Sequence, residues 1–345
     1  MSIRELARAL DLSIGTVSRA LNDRPDVNAE TRARVKEAAR RMGYQPDQSG
    51  RSLRKGSTGF VAAVLPTGPD TSSDGGLLRL LEGARRVLLR EDIDLIVLLQ
   101  GPEQQPLEHL RRVVTRHIAD ALMISHTIPA DPRLKFLDEA GVRHVVLGRS
   151  EGIASGSFID FDVETVAADS AARFAEQGHR RIALLTRDAR MNFEELMARA
   201  FRHAAARAGL EIGDVHVLDC ENTHLAAAGR ALLADPNRRP TAILTTHESL
   251  AAALYHDIRP LGLEVGREIA LISTSPTVDF EALVPRLSHY HADLAAAGRA
   301  IGERLVQQIR HGHEAGAGTL LMPMRFVPLE SHQVDLPRVL SDATG

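Results

Sequence analysis

The chain has 345 residues, yet it contains no tryptophan, a single cysteine and only 3% aromatic residues. One cysteine, Cys220, excludes an intrachain disulfide and fits a reducing compartment, where a small buried thiol behaves as an apolar side chain. Scarce aromatics leave the core to Leu, Val, Ile and Ala. No run approaches the ~20 apolar residues of a membrane span. The opening MSIRELARALDLS lacks the apolar stretch and small-residue cleavage site of a secretory leader. These absences together predict a cytoplasmic protein. No nucleophile elbow, H-E-x-x-H, phosphate-cradling Gly-Lys loop or cysteine cluster is read in the chain, so neither an enzyme nor a cofactor is expected. His311-Gly-His313 hints at a metal, but two histidines at a helix end without further ligands read as solvated, and no metal site is expected.

What is present is ordinary globular composition, 44% hydrophobic and 25% charged, at a length that suggests two or three domains. A net charge of −3 conceals an asymmetry. Residues 1–57 hold 12 Lys/Arg against 7 Asp/Glu, and the remainder holds 30 against 38. A basic head on an acidic body suggests that the head alone approaches a polyanion.

Ile3, Leu6, Ala7 and Leu10 recur at helical spacing and predict a first short helix. Asp11-Leu12-Ser13 breaks it, and Ser13 is suited to cap a second helix reaching about Leu21. After a polar loop at 22–26, Asn28 can cap a third helix whose stripe is Val35, Ala38, Ala39 and Met42, closed by Gly43. Two helices joined by about three residues, with a supporting third, form a helix-turn-helix arrangement. Residues 46–57, PDQSGRSLRKGS, read as a polar, basic linker in which Leu53 is the lone apolar residue. From Gly59 onward, short apolar runs alternate with amphipathic helices. FVAAVLP (60–66), LIVLLQ (95–100), ALMIS (121–125) and HVVLG (144–148) form one series. RIALLT (181–186), VHVLD (215–219), TAILTT (241–246) and IALIS (269–273) form a second. Continuous apolar strands separated by helices indicate parallel sheets covered on both faces, here in two doubly wound lobes that break near 150–160. Ligands in such folds sit beyond the carboxyl ends of the strands.

LSIGTVSRALN (12–22), VNAETRARVKEAARRMGYQPD (27–47) and GRSLRKGSTG (50–59) together resemble the LacI/GalR family of bacterial transcription regulators. The resemblance continues at GHRRIALL (178–185), PTAILTTHE (240–248) and AAAGRAIGERL (295–305). It implies an N-terminal all-α helix-turn-helix head (1–45), a hinge (46–57), an α/β periplasmic-binding-protein-like core (58–330) of two doubly wound parallel-sheet lobes, and a tail (331–345). The N-lobe would comprise about 58–158 and 291–323, the C-lobe about 161–285 and 327–340, with crossovers near 158–161, 285–291 and 323–327. The implied function is a repressor that binds a pseudo-palindromic double-stranded operator as a homodimer and answers to a small-molecule effector. A carbohydrate or derivative is the leading effector class. Another metabolite, or an architectural DNA binder whose core only dimerises it, stays open.

A recognition helix presents its N-terminal side chains to base edges. Here Ser13, Ile14, Gly15, Thr16, Ser18, Arg19 and Asn22 fall on that surface. Arg19 suits guanine O6 and N7 held bidentately, Ile14 suits a thymine methyl, and Ser13, Thr16, Ser18 and Asn22 suit phosphate oxygens. Gly15 presents no side chain, which predicts loose readout of the base pairs opposite it. The resemblance adds Asn28, Thr31 and Tyr44 to the DNA-facing set. It also implies that Leu53 wedges into the minor groove from a hinge helix, flanked by Arg51, Arg54 and Lys55, and apolar wedges of this kind kink the duplex.

In the core, three positions where the family carries sugar ligands depart from its pattern. Met197 stands where an Arg is usual, His247-Glu248 where Asn-Asp is usual, and Ser275-Pro276 where Asp-Asp is usual. Candidate effector ligands are Asp74, Ser125, Arg149, Asp160, Met197, His247 and Ser275.

Overall fold

The computed structural model describes residues 2–21, 23–44, 57–67, 75–150, 158–186, 191–210, 215–221, 224–225, 227–274 and 283–334. The chain divides into two compact units, Met1–Gly59 and Phe60–Gly345. Asn22, Arg51, Leu53, Arg54, Lys55, Asp74 and Ser275 lie outside the described residues.

The first unit holds α1 (Ile3–Leu10), α2 (Ile14–Leu21) and α3 (Ala29–Arg41). Each begins at a side chain that satisfies an otherwise orphaned amide. Ser2 and Glu5 form a reciprocal capping box on α1. Ser13 Oγ accepts the Thr16 amide at 3.0 Å, and Asn28 Oδ1 accepts that of Thr31 at 2.7 Å. The helices stop where the backbone turns left-handed, at Asp11 (φ 51°) and Gly43 (φ 64°). Leu6, Val17, Ala20 and Val35 are fully buried between them, joined by Ala38 and Ala39. The Arg32 guanidinium donates to the carbonyls of Arg24 and Val27, tying the 24–27 loop to α3.

The second unit begins with β1 (Phe60–Pro66), α4 (Gly75–Leu89), β2 (Asp94–Gln100) and α5 (Pro106–Thr115). β3 (Ala121–Ile124), α6 (Pro132–Glu139), β4 (His144–Leu147) and β5 (Phe158–Phe161) follow. The next segment holds α7 (Val163–Glu176), β6 (Ile182–Thr186), α8 (Asn192–Arg207), β7 (Val215–Glu221), β8 (His224–Leu225) and α9 (Ala227–Ala234). β9 (Ala242–Thr245), α10 (Glu248–Asp257), β10 (Ala270–Ser273), β11 (Ser288–Ala292), α11 (Leu294–His311), β12 (Thr319–Met322) and β13 (Met324–Val327) complete it. The N-lobe sheet runs β12-β5-β4-β3-β1-β2, all parallel. The C-lobe sheet runs β13-β11-β10-β9-β6-β7-β8, parallel except for β13 and β8 at its two edges. Helices cover both faces of such sheets, which is why the central strands β1, β3, β6, β9 and β10 are buried along nearly their whole length.

The chain crosses between lobes three times, the first two within two residues of the expected ranges and the third at the start of 323–327. β5 is a full member of the N-lobe sheet, so the first crossover is at Asp162 rather than over 158–161. β11 belongs to the C-lobe sheet, and the second crossover is Asp293. The third is Pro323, between β12 and β13. Both aspartates cap the helix that follows, Asp162 on the Thr165 amide and Asp293 on that of Ala296. A proline, which has no amide to donate, suits a single residue passed from one sheet edge to another.

α4 and α11 pack on the N-lobe sheet with glycine between them. A Cβ at Gly298 would lie 1.9 Å from the Leu80 carbonyl oxygen, and one at Gly83 would lie 2.3 Å from that of Ala295. In the C-lobe, α7 and α8 pack through Phe174, Phe201, Met197 and Ala205, all fully buried.

Candidate nucleic-acid interface and interlobe site

On the head, α2 turns Val17 and Ala20 inward and leaves Ile14, Gly15 and Arg19 exposed. Ile14 is 43% exposed, so its side chain is free to meet a base edge. Arg19 reaches Asp26 at 3.5 Å, with both side chains more than half exposed. Such a pair is screened and weak, so guanine or phosphate competes readily with Asp26 for the guanidinium. Ser13 and Thr16 bond to each other through their hydroxyls at 2.9 Å while Ser13 caps the helix. Ser18 is half-buried. Asn28 and Thr31 hold the start of α3, and Tyr44 packs half-buried against the head core. For these three the structure supplies internal partners beside the DNA-facing role that the sequence suggests.

In the core, polar side chains gather where the strands end. Thr67 after β1 donates to the carbonyl of Gln100, the last residue of β2. Ser125 follows β3, is 3% exposed and bonds to His126 Nδ1 at 2.9 Å. His126 holds a left-handed backbone, φ 54°, uncommon outside glycine and frequent at functional sites. Arg133 and Asp131 form a buried ion pair at 2.7 Å, and the guanidinium also donates to the carbonyls of Ser125 and His126, so this turn is firmly held. On the C-lobe, Thr186 ends β6, Thr245 and Thr246 end β9, and Ser273 and Thr274 end β10; all five are buried. Thr186 Oγ1 is shielded from solvent and has no hydrogen-bond partner among the described residues.

Asn192, at the start of α8, brings the two sets of strand ends together. Its amide donates to the Thr127 carbonyl at 2.9 Å, and its Nδ2 donates to the Arg149 carbonyl. The start of α8 therefore meets the segments after β3 and β4, so the carboxyl ends of the two sheets face each other.

Arg149 and Asp160, expected as separate ligands, are partners of each other. Arg149 Nε bonds Asp160 at 2.6 Å, and its two terminal nitrogens grip Glu164 at 2.8 and 2.9 Å. Burial opposes the Arg149 charge, but these hydrogen bonds outweigh it and raise its pKa. The same bonds hold the Glu164 carboxyl below its ordinary range. His247 is half-buried and leads into α10. Met197 departs from expectation: it is fully buried within the α7–α8 packing, a core position rather than a polar contact. Thr127, Glu164, Thr186 and Asn192 escaped the sequence reading; for Thr186 alone there is a signal, the hydroxyl residue that closes the apolar run RIALLT. The sequence reading also passed over GRSEG (148–152), which fits the G-x-S-x-G pattern of a hydrolase nucleophile elbow. Ser150 Oγ instead donates to the Ile128 carbonyl and accepts the Asp131 amide, and the next described element is a strand rather than a helix.

A helix-turn-helix head with a two-lobed α/β core whose polar strand ends face each other defines a DNA-binding transcription regulator with a periplasmic-binding-protein-like core. Residues 2–47 match the bacterial regulatory proteins of the lacI family, and residues 171–332 match the periplasmic binding protein-like domain. HTH-type transcriptional regulator AglR of Rhizobium meliloti (strain 1021) is 32% identical over 312 residues, spanning 89% of this chain and 87% of its own. The chain belongs to the lacI family of bacterial regulatory proteins. Catabolite control protein A of Staphylococcus aureus (strain Mu50) is 24% identical over 329 residues, covering 94% of this chain and 97% of its own. The lac repressor dimer bound to operator and the anti-inducer ONPF shares the fold, with a TM-score of 0.83 at 18% identity, over 96% of this chain and 99% of that one. The CelR–cellobiose complex gives a TM-score of 0.69 at 23% identity, with 96% and 99% covered. Among the described residues no helix is long and apolar enough to cross a membrane.

Proposed function

We propose that the protein is a repressor that binds a pseudo-palindromic operator as a homodimer and is switched by a carbohydrate-class effector held between its lobes. The observation that carries the effector reading is Thr186 Oγ1, buried at the end of β6 and without a hydrogen-bond partner among the described residues. Sugar hydroxyls both donate and accept, and a buried orphan hydroxyl is costly unless a ligand satisfies it. The solved CelR complex contains cellobiose, which supports the same class. Dimerisation is supported by exposed apolar side chains on the N-lobe edge: Leu78 on α4, and Val97 and Leu99 on the edge strand β2, are 70%, 44% and 62% exposed. An unpaired edge strand carrying apolar residues is a natural surface for a second copy.

The testing experiment is a thermal-shift screen of the full chain against sugars, polyols, sugar phosphates and nucleobases. A ligand at 100 times its Kd adds about 2.7 kcal/mol to the core's stability, a readily visible shift. A sugar hit that also releases operator selected from a randomised DNA pool supports the reading. A hit confined to nucleobases overturns the effector class. Silence across the panel, with operator binding intact, overturns the switch and leaves a core that only dimerises the heads.

A further inference from the structure

We propose that Asp138, His144 and His313 form a binding site for a divalent transition-metal ion, with zinc as the best match, in the N-lobe. The three come from distant parts of the chain. Asp138 lies in the last turn of α6, His144 opens β4, and His313 follows α11 by two residues. Their ligand atoms all lie within 4.8 Å of one another. His144 Nε2 and His313 Nε2 stand 3.7 and 3.8 Å from Asp138 Oδ1. Those separations are too long for hydrogen bonds. They are close to the roughly 3.4 Å between neighbouring ligand atoms of a tetrahedral zinc at its usual bond lengths.

The tautomer of His144 points the same way. Its ring is 1% exposed, and Nδ1 lies 2.8 Å from the Val142 carbonyl oxygen, which can only accept. Nδ1 therefore carries the proton, and Nε2 turns a lone pair toward the carboxylate and the second imidazole. A metal-bound histidine typically has its other nitrogen donating to a carbonyl in this way. Both Nε2 atoms are shielded from solvent and have no hydrogen-bond partner among the described residues. An electron pair buried against a carboxylate is unfavourable unless a cation stands between them. Gln308, fully buried, donates to the His144 carbonyl at 3.0 Å and steadies the ligand from behind.

Two further features favour positive charge. α6 ends at Glu139 and α11 at His311, so two helix C-termini, the negative ends of their dipoles, adjoin the site. Two imidazoles and one carboxylate suit zinc and its neighbours, whereas calcium and magnesium require oxygen ligands. Three protein ligands leave a fourth position for water or another donor. The site lies at the amino end of β4, opposite the strand ends that face the other lobe, so the ion is separate from the effector. It staples α6, β4 and the segment after α11 together, a structural or regulatory role.

The test uses the full chain stripped with a chelator and dialysed, then titrated with zinc by calorimetry and with cobalt by visible absorption. The expected result is one zinc per chain, a higher unfolding temperature, intense cobalt bands of a tetrahedral site, and no response to magnesium. His313→Ala, at a half-buried position, and Asp138→Asn should each weaken zinc binding at least tenfold and abolish the cobalt bands. His311→Ala should leave both unchanged, because His311 is exposed and outside the cluster. No zinc binding by the folded wild type overturns the proposal. So does binding that survives His313→Ala, or binding lost in His311→Ala, which would mark a surface chelate at the helix end.

Discussion

The two lobes share a doubly wound plan but are held together by different means. In the N-lobe, α4 and α11 meet backbone to backbone across Gly83, Gly298 and Gly302. In the C-lobe, α7 and α8 are kept apart by Phe174, Phe201 and Met197, with Tyr290 closing the layer. Side-chain packing loses energy when it is hollowed out, whereas glycine contacts lose it when they are filled. The lobes should therefore fail under opposite kinds of substitution.

The largest effect belongs to the C-lobe. Phe201→Ala removes a fully buried ring and should cost about 3–5 kcal/mol, because the helices cannot collapse fully onto the void. Chemical denaturation of the full chain measures this. A loss below about 1 kcal/mol would mean that α7 and α8 can close the gap, and the contrast between the lobes would fall.

Acid should next weaken the C-lobe through one histidine. His179 is buried in the C-lobe, with Nδ1 2.8 Å from Thr241 Oγ1 and its ring edge-on to Phe174. Burial lowers its pKa to about 4. The unfolded chain, with an ordinary value near 6.5, binds the proton more readily in between. Stability from this group is fully present above about pH 6.5 and is lost as pH falls toward about 4, by up to about 3 kcal/mol. The unfolding free energy of His179→Gln should fall less steeply over that window. Equal slopes for variant and wild type would locate the acid sensitivity elsewhere.

How far these features are legible in the sequence depends on how local they are. Caps are local, so Ser13 and Asn28 predict the starts of α2 and α3, and the apolar runs predict the central strands. The crossovers are harder to read, because FIDF and MRFV are short runs whose place depends on the partner strand they pair with. Arg149, Asp160 and Glu164 are each plausible ligands in isolation, and only the fold reveals that they satisfy one another. Met197 reads as a pocket position from the family resemblance yet lies in apolar packing, because position along a helix does not determine which neighbours surround it. His313 reads as solvated beside His311 until β4 and α6 bring His144 and Asp138 to it, from 169 and 175 residues earlier in the sequence.

Two glycines carry the comparison to its smallest effects. At Gly298 an added methyl meets the Leu80 carbonyl at 1.9 Å, and backbone cannot rotate away as a side chain would. Overpacking of this kind costs about 1–3 kcal/mol or more, against a gain of about 1 kcal/mol in helix propensity, so Gly298→Ala should destabilise the N-lobe by about 2 kcal/mol net. Gly15 is the opposite case. A methyl there would lie 3.7 Å from Ser13 Oγ and 3.8 Å from the Arg19 guanidinium, ordinary contact distances on an exposed helix. Nothing in the packing requires its absence, so Gly15→Ala should stabilise α2 by up to about 1 kcal/mol. Hydrogen exchange on the full chain would show this as roughly fivefold slower exchange of the α2 amides. Operator selection should at the same time gain a preference at the base pairs facing residue 15, where a new methyl can meet thymine. If exchange slows and the selected operator stays the same, the glycine is tolerated rather than used, and residue 15 does not read bases.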